Sequence, residues 1–396
     1  MRILFLTQVL PYPLDAGPKL RSYYVLRSLA RQHRVTLLSF VRATDTPAAM
    51  QHLARFCERI VTVPMIRSRW KDALALGGSL LSGQPFLITR DRVPEMETQI
   101  LGLVREQPFD AVHADQLWMA PYAMFAKQAQ PQRPLRLVLD QHNAVYMIPE
   151  RMAQAARNPL ARALLRREAR LMQRYELDTC RRFDQVVWVT PDDLRAVRRI
   201  GQLDGPQSVI PICIDPGSVP VLEPLPEAPA VLFVGGMHWP PNAQGVSWFG
   251  REIWPLIQDQ VQGASFFAVG KAPPPVLASL PGVEALGYVD DPEPTWQKSR
   301  AFVVPLLSGG GMRVKILDAW AHGLPVISTT IGAEGIEYHD GENILIADTP
   351  EAFARAVSRV LQDAAFAGQL GCSGRRWVEE KYEWRKVYQA WDQVYA

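Results

Sequence analysis

Short apolar runs alternate with helical stretches along most of the 396 residues, and this alternation restricts the fold more than any other feature. In the first half the runs are Arg2 to Leu6, Val35 to Phe40, Arg59 to Val63, Ala111 to His113, Leu135 to Leu139 and Gln185 to Val189, which read as strands. The spacing of Tyr23, Leu26, Leu29 and Ala30 predicts a helix over Leu20 to Arg31. Strands separated by helices imply a parallel sheet covered on both faces. A proline-rich stretch, residues 205–229, then breaks regular structure and predicts an interdomain crossing. After it the pattern restarts at Ala230 to Val234, Ser265 to Gly270, Val283 to Val289, Ala301 to Pro305, Pro325 to Ser328 and Asn343 to Ala347. The expected architecture is α/β with two doubly wound domains of roughly 200 residues each, with ligands bound beyond the carboxyl ends of the strands in a cleft between them.

Within the second half, residues 308–323 carry the strongest chemical signal. Gly309, Gly310 and Gly311 sit where a strand ends and a helix begins, and after Gly323 the run Leu324-Pro325-Val326 opens the next strand. A helix N-terminus attracts anions through its free N–H groups and its dipole, and glycines let a phosphate approach the backbone. Arg313 and Lys315 fall in the first helical turn, where cations oppose the dipole unless an anion lies between. The segment therefore predicts a phosphate or diphosphate ligand, against the simpler reading of a flexible glycine turn with two solvated cations.

Bulk properties narrow the function classes. No apolar stretch approaches the roughly 18 residues of a membrane span, and Met1 to Thr7 reads as a first core strand rather than a signal peptide. Cys57, Cys180, Cys213 and Cys372 are too scattered for a metal site or a disulfide framework and suit a reducing cytoplasm. The net charge of +3 conceals an imbalance: residues 1–200 hold 30 Lys and Arg against 18 Asp and Glu, residues 201–396 hold 13 against 22. A basic first half suits a polyanion, an anionic membrane surface or a phosphorylated substrate. Much of the excess lies on one predicted basic and partly apolar helix from Arg157 to Arg182, suited either to a membrane surface or to packing on its own domain. The aromatic tail (Trp377, Tyr382, Trp384, Tyr388, Trp391, Tyr395) needs a surface to pack against.

The string from Val304 through Gly309-Gly310-Gly311-Met312-Arg313-Val314-Lys315 to Asp318, Gly323 and Ile327 resembles the donor-binding signature of bacterial family 4 retaining glycosyltransferases of the GT-B fold. Gly332-Ala333-Glu334-Gly335-Ile336 fits the following loop, and Phe233-Val234-Gly235-Gly236-Met237-His238-Trp239-Pro240-Pro241-Asn242 fits the first loop of the donor domain. Pro11 to Gly17, His113-Ala114-Asp115-Gln116 and Asp140-Gln141-His142-Asn143 resemble the loop and strand ends of the acceptor domain. Glu380-Lys381-Tyr382-Glu383-Trp384 is similar to the C-terminal crossover helix, so the resemblance spans essentially the whole chain.

What the resemblance implies is a GT-B protein with two Rossmann-like domains facing a central cleft: residues 1–205 for the acceptor, 206–375 for the donor, and a helix over 376–396 returning to the N-terminal domain. It implies transfer of a sugar from a nucleotide sugar (UDP-, GDP- or similar) to a saccharide or lipid-linked acceptor with retention, in cell-surface polysaccharide or glycolipid synthesis. No cofactor, no metal ion and no nucleic acid are expected. The cysteines and charge, apart from the resemblance, predict a cytoplasmic location or one peripheral at the inner membrane face, with the basic helix and the apolar segment around Trp70, Leu74, Leu80 and Leu81 as the expected membrane contacts. Arg313 and Lys315 would neutralise the leaving diphosphate, with Asp115 and His142 as further catalytic candidates. Gly236, Met237, Gly270, Tyr288, Val289, Gly309, Gly310, Gly311, Met312 and Asp318 are the expected donor contacts. Gly17, Lys19, Arg21 and Asn143 are expected on the acceptor side, where Lys19 and Arg21 could meet a phosphate. The chain departs from the family at two positions: Gly310 replaces a glutamate, and Asp318 stands one methylene short of the glutamate that contacts the ribose. An epimerase on the same fold, or a non-catalytic binding protein, remain alternatives.

Overall fold

A computed structural model describes residues 1–156, 158–222 and 227–396. It divides into two compact units, Met1–Cys213 with Trp384–Ala396, and Ile214–Glu383. The first unit is built on seven parallel strands: β1 (Arg2–Thr7), β2 (Arg34–Val41), β3 (Arg59–Pro64), β4 (Ala111–Asp115), β5 (Arg136–Gln141), β6 (Gln185–Trp188) and β7 (Gln207–Val209). Their spatial order is β3-β2-β1-β4-β5-β6-β7. The order reverses direction between β1 and β4, where Ile3 pairs with Ala111 on one side and Val35 on the other. Leu4, Leu6, Leu38, Val112, Leu137, Leu139 and Val186 are buried in one core cluster, because helices cover both faces of the sheet.

The second unit repeats the plan with β8 (Ala230–Val234), β9 (Ser265–Val269), β10 (Val283–Gly287), β11 (Ala301–Val304), β12 (Val326–Ser328) and β13 (Leu345–Ile346), in the order β10-β9-β8-β11-β12-β13. Its reversal falls between β8 and β11. Phe233, Phe249, Trp254, Phe266, Val303 and Phe353 fill the core beneath.

Two boundaries differ from the sequence expectation. The first unit runs to Cys213 rather than 205, because Gln207–Val209 adds a seventh strand by pairing Val186, Val187 and Trp188 with Gln207, Ser208 and Val209. The return to the first unit begins at Trp384 rather than 376, because the helix Ala364–Lys381 stays with the second unit, Gly374 lying against the Trp320 ring. The chain then turns back through two short helices, Trp384–Val387 and Ala390–Tyr395. Trp384, Tyr388, Trp391 and Tyr395 are all buried, so these aromatics are structural.

The basic helix spans Pro159–Arg182, capped by the Asn158 side chain, which accepts from Leu160 and Ala161 N–H; Arg157 lies outside the described residues. Its inner face is polar as well as apolar. Glu168 accepts from the N–H groups of Phe86 and Leu87, both at 3.0 Å. Glu176, fully buried, accepts from Val145 N and Tyr146 N at 2.9 Å and from Gln141 Nε2 at 2.8 Å. Burial pushes the Glu176 carboxyl up to about 8 although the Tyr146 and Val145 N–H groups oppose that shift. The loop after β5, which carries His142 and Asn143, is thereby fixed from below, with Asp193 accepting from Ala144 N at 2.8 Å. Among the described residues no helix is long and apolar enough to cross a membrane.

Candidate active site

In a doubly wound sheet the point where strand order reverses leaves a crevice beyond the strand ends, because neighbouring loops diverge to opposite faces. In the second unit that point lies between the loop after β8 and the glycine loop after β11. The helix Val314–Ala321 begins just after Arg313, placing Arg313 at its N-cap with φ −87° rather than in the first turn, where Lys315 lies. Gly309 (φ 123°) and Gly311 (φ 77°) hold backbone conformations that side chains resist, so the loop curls back on itself. Arg313 is buried inside that curl: Nη1 donates to the carbonyls of Gly310 and Gly311, Nη2 lies 3.4 Å from Ile331 O, and Glu334 Oε2 is 3.6 Å away. Met312 is buried beside it.

Lys315 reaches across to the other loop. Its Nζ donates to Asn242 Oδ1 at 3.0 Å and lies 4.3 Å from the centre of the Phe233 ring, while Asn242 Nδ2 donates to Gly236 O at 2.9 Å. A Cβ at position 235 would come within 2.5 Å of that ammonium, so Gly235 makes room for it. Burial pulls the Lys315 ammonium down to about 7, and Arg313 adds to the shift while Asp318 opposes it. Among the described residues no carboxylate lies within ion-pair distance of it. One turn further, Asp318 has its carboxyl raised to about 6 by burial, against the pull of His322 and Lys315. His322 is locked by Glu293 Oε2 at 3.1 Å, by the Asp318 carbonyl at 2.7 Å and by stacking on Trp296 at 4.3 Å. The remaining expected donor contacts lie at the same end of the sheet. Gly236 and Met237 follow β8, and Gly270 follows β9, with its N–H on Gly287 O at 2.7 Å. Tyr288 and Val289 follow β10, the Tyr288 ring exposed with Lys271 Nζ 4.6 Å above it. Asn242 and Phe233 are not among the site residues expected from sequence; Phe233 lies in β8 and Asn242 at the start of the helix Pro240–Trp248, on either side of the loop whose sequence carries the signal.

At the reversal point of the first unit the charges are paired internally. Arg21, on the helix Gly17–Leu29, is fully buried and grips Asp140 with Nε at 3.0 Å and Nη2 at 2.9 Å. Its Nη1 donates to Pro211 O at 2.7 Å and Tyr388 Oη at 3.1 Å, and the guanidinium lies 5.1 Å from the Trp391 ring centre. Burial alone would raise the Asp140 carboxyl, but Arg21, His113 and His142 outweigh it and hold it well below the usual carboxylate range. The expectation that Arg21 faces a phosphate is corrected here: none of its surface reaches solvent, and its donors are committed to the fold. Lys19 pairs with Asp15 at 2.9 Å, and Gly17 opens the helix. Asp115 is also fully buried, with Oδ2 accepting from Ser22 Oγ at 2.8 Å and Oδ1 lying 3.0 Å from His142 Nε2. The structure therefore brings Asp115 and His142 together, with both Asp115 oxygens engaged inside the unit. Asn143, half-buried, adjoins it. His113, Asp115 and Asp140 have potential ligand atoms within 4.8 Å of one another, but both carboxylates already hold Arg21, Ser22 and His142.

Comparison with known proteins bears on this arrangement. The model of the family described as "Glycosyltransferase Family 4" matches residues 17–218, and that described as "Glycosyl transferases group 1" matches residues 228–363. The chain belongs to glycosyltransferase family 4. Its two parallel sheets are those of the GT-B fold. Sucrose-phosphate synthase (tll1590) from Thermosynechococcus elongatus superposes with a TM-score of 0.71 at 17% identity, over 100% of this chain and 98% of that one. Anabaena Alr3699/HepE in complex with UDP-glucose gives 0.66 at 14% identity over 100% and 99%. A Klebsiella pneumoniae protein described as an uncharacterized 44.6 kDa protein in the cps region is 25% identical over 169 residues, 40% of this chain. The match spans 44% of the length of that curated relative.

Proposed function

We propose that this family 4 member is an enzyme that transfers a sugar from a nucleotide sugar to an acceptor hydroxyl with retention of configuration and without a metal ion. The observation that carries the reading is the pair Arg313 and Lys315 at the start of the helix Val314–Ala321, one of them pulled down by burial and lacking a carboxylate partner among the described residues. A cation so placed opposes both the helix dipole and its own desolvation, and a diphosphate relieves both. The glycine-loop N–H groups and these two cations supply the charge neutralisation that a metal would otherwise give. In the reaction the bond between the sugar C1 and the diphosphate oxygen breaks and the acceptor oxygen bonds C1 on the same face. The acceptor proton passes to the departing diphosphate. Catalysis then rests on positioning and electrostatics.

Asp318 is assigned to the ribose hydroxyls, and the backbone at Tyr288 and Val289 to the base. His142, oriented by Asp115, is assigned to the acceptor with Asn143, and Lys19 and Gly17 to the loop beside it. That HepE is described in complex with UDP-glucose supports a uridine donor, and the cps-region relative supports a role in cell-surface polysaccharide or glycolipid synthesis. A cytoplasmic location accords with such a donor. The test is heat protection by a panel of UDP-, GDP- and other nucleotide sugars, with Lys315→Ala as control. Protection of the parent and not of the variant is expected; protection of neither overturns the donor assignment.

A further inference from the structure

The helix Arg69–Ser82 is amphipathic in the reverse sense to one packed on its own protein. At about 100° per residue, Trp70, Leu74 and Leu81 share one face with Ala73 and Leu80 beside them, while Asp72 and Ser79 lie opposite. Of its 14 residues only Ser79 is buried. The apolar side is the outward one: Trp70 is 79% exposed, Leu74 71% and Leu81 93%. The helix is well formed nonetheless, capped by Ser68 Oγ on Lys71 N and ended by Gly83 at φ 68°. It is moored by its polar side, since Arg167 donates to Ser79 O at 2.8 Å and Ser79 Oγ at 3.3 Å.

That bond ties it to the basic helix Pro159–Arg182, whose outward face carries the exposed Leu160 and Leu164 and then Arg166, Arg170 and Arg174. Arg69 and Lys71 add exposed cations at the start of the apolar helix. A tryptophan and leucines bordered by arginines and lysines match a surface that is anionic outside and apolar beneath. We propose that the helix Arg69–Ser82 lies in the headgroup region of an anionic lipid bilayer, with Arg166, Arg170 and Arg174 as electrostatic contacts. The inference goes beyond sugar transfer and does not depend on it. Leucines inserted at a single helix face bind reversibly, and each nearby cation strengthens the attachment by a factor that falls with salt.

The experiment is co-sedimentation of the full chain with vesicles of mixed phosphatidylcholine and phosphatidylglycerol, and with phosphatidylcholine alone, at low and high salt. Binding to the mixed vesicles at low salt, reduced by salt and weak on phosphatidylcholine alone, is expected. Leu74→Glu with Leu81→Glu lowers the partition coefficient at least about tenfold at either salt. Arg166→Glu with Arg170→Glu lowers it by about tenfold or more at low salt and little at high salt. All four side chains are exposed, so unchanged thermal unfolding of both variants serves as the control for folding. Lack of binding by the parent chain, equal binding to the two vesicle types, or parent-like binding by the leucine variant overturns the proposal. So does a parent dimer that ignores vesicles and that Leu74→Glu with Leu81→Glu converts to monomer, which would make this face a contact between two copies.

Discussion

Each unit places a buried arginine at the point where its sheet reverses order, and the two sites differ in how the cationic charge is matched. Arg21 meets a carboxylate squarely, one phenol ring, one indole ring and a carbonyl, all from its own unit. Arg313 bonds loop carbonyls and has Glu334 at 3.6 Å, while the neighbouring Lys315 has, among the described residues, an amide oxygen and the face of a ring. A buried cation whose charge is matched within the protein holds structure together. One whose charge is left in excess would be relieved by an incoming anion. On the proposed function, equivalent topology therefore serves as a strut in the first unit and as a ligand site in the second.

The largest test of this contrast is Arg21→Ala. It leaves Asp140 buried and uncompensated, and it should destabilise the chain by about 3–5 kcal/mol in urea unfolding. If the variant instead unfolded like the parent and lost nucleotide binding, the two roles would have to be exchanged. Lys315→Ala is next, because it relieves a strained charge and should leave thermal unfolding nearly unchanged. In steady-state assays turnover should fall by about a hundredfold, the developing diphosphate charge being less well stabilised. An unaffected rate would remove Lys315 from the leaving-group site.

A sharper version uses protons. The free ammonium titrates near pH 7 because of burial, and a bound diphosphate favours its charged form. Nucleoside diphosphate binding above pH 7 must therefore take up a proton at Lys315, with affinity falling by up to about tenfold per pH unit from this group. Calorimetry in buffers of different ionisation enthalpy reads that uptake directly, and Lys315→Ala should abolish it. Equal uptake in the variant would move the titration to another group. The smallest expected effect is at Asp318: Asp318→Asn should weaken donor binding by about 1 kcal/mol. Since burial raises this carboxyl to about 6, parent affinity should also decline as pH falls through 6, and the variant should lack that component. Identical pH profiles would deny the aspartate a charged role.

Most strands were readable because a strand buried on both faces is a continuous apolar run. Gln207–Val209 was not, being short, polar at two of three positions and set among prolines. The glycine loop and its cations were legible as local chemistry, whereas the partners that separate Arg21 from Lys315 were not. Asp140 lies 119 residues from Arg21 and Tyr388 lies 367, and no local pattern announces such pairs. Likewise Trp70, Leu74, Leu80 and Leu81 mark an apolar stripe in sequence, but only the structure shows that it faces outward, since periodicity carries no sign.

The return of residues 384–396 to the first unit sets an order on biosynthesis. As the chain leaves the ribosome, Arg21 and Asp140 emerge early, but Tyr388 and Trp391, which cover them, follow only after the whole of Ile214–Glu383. At about 5–20 residues per second that interval is on the order of ten seconds or more. His113 waits equally for the Tyr395 hydroxyl. The second unit, contiguous in sequence, can close while the first is still open along one side. The half of the molecule translated first is thus the half completed last, and its unfinished side is the stretch a chaperone would have to shield.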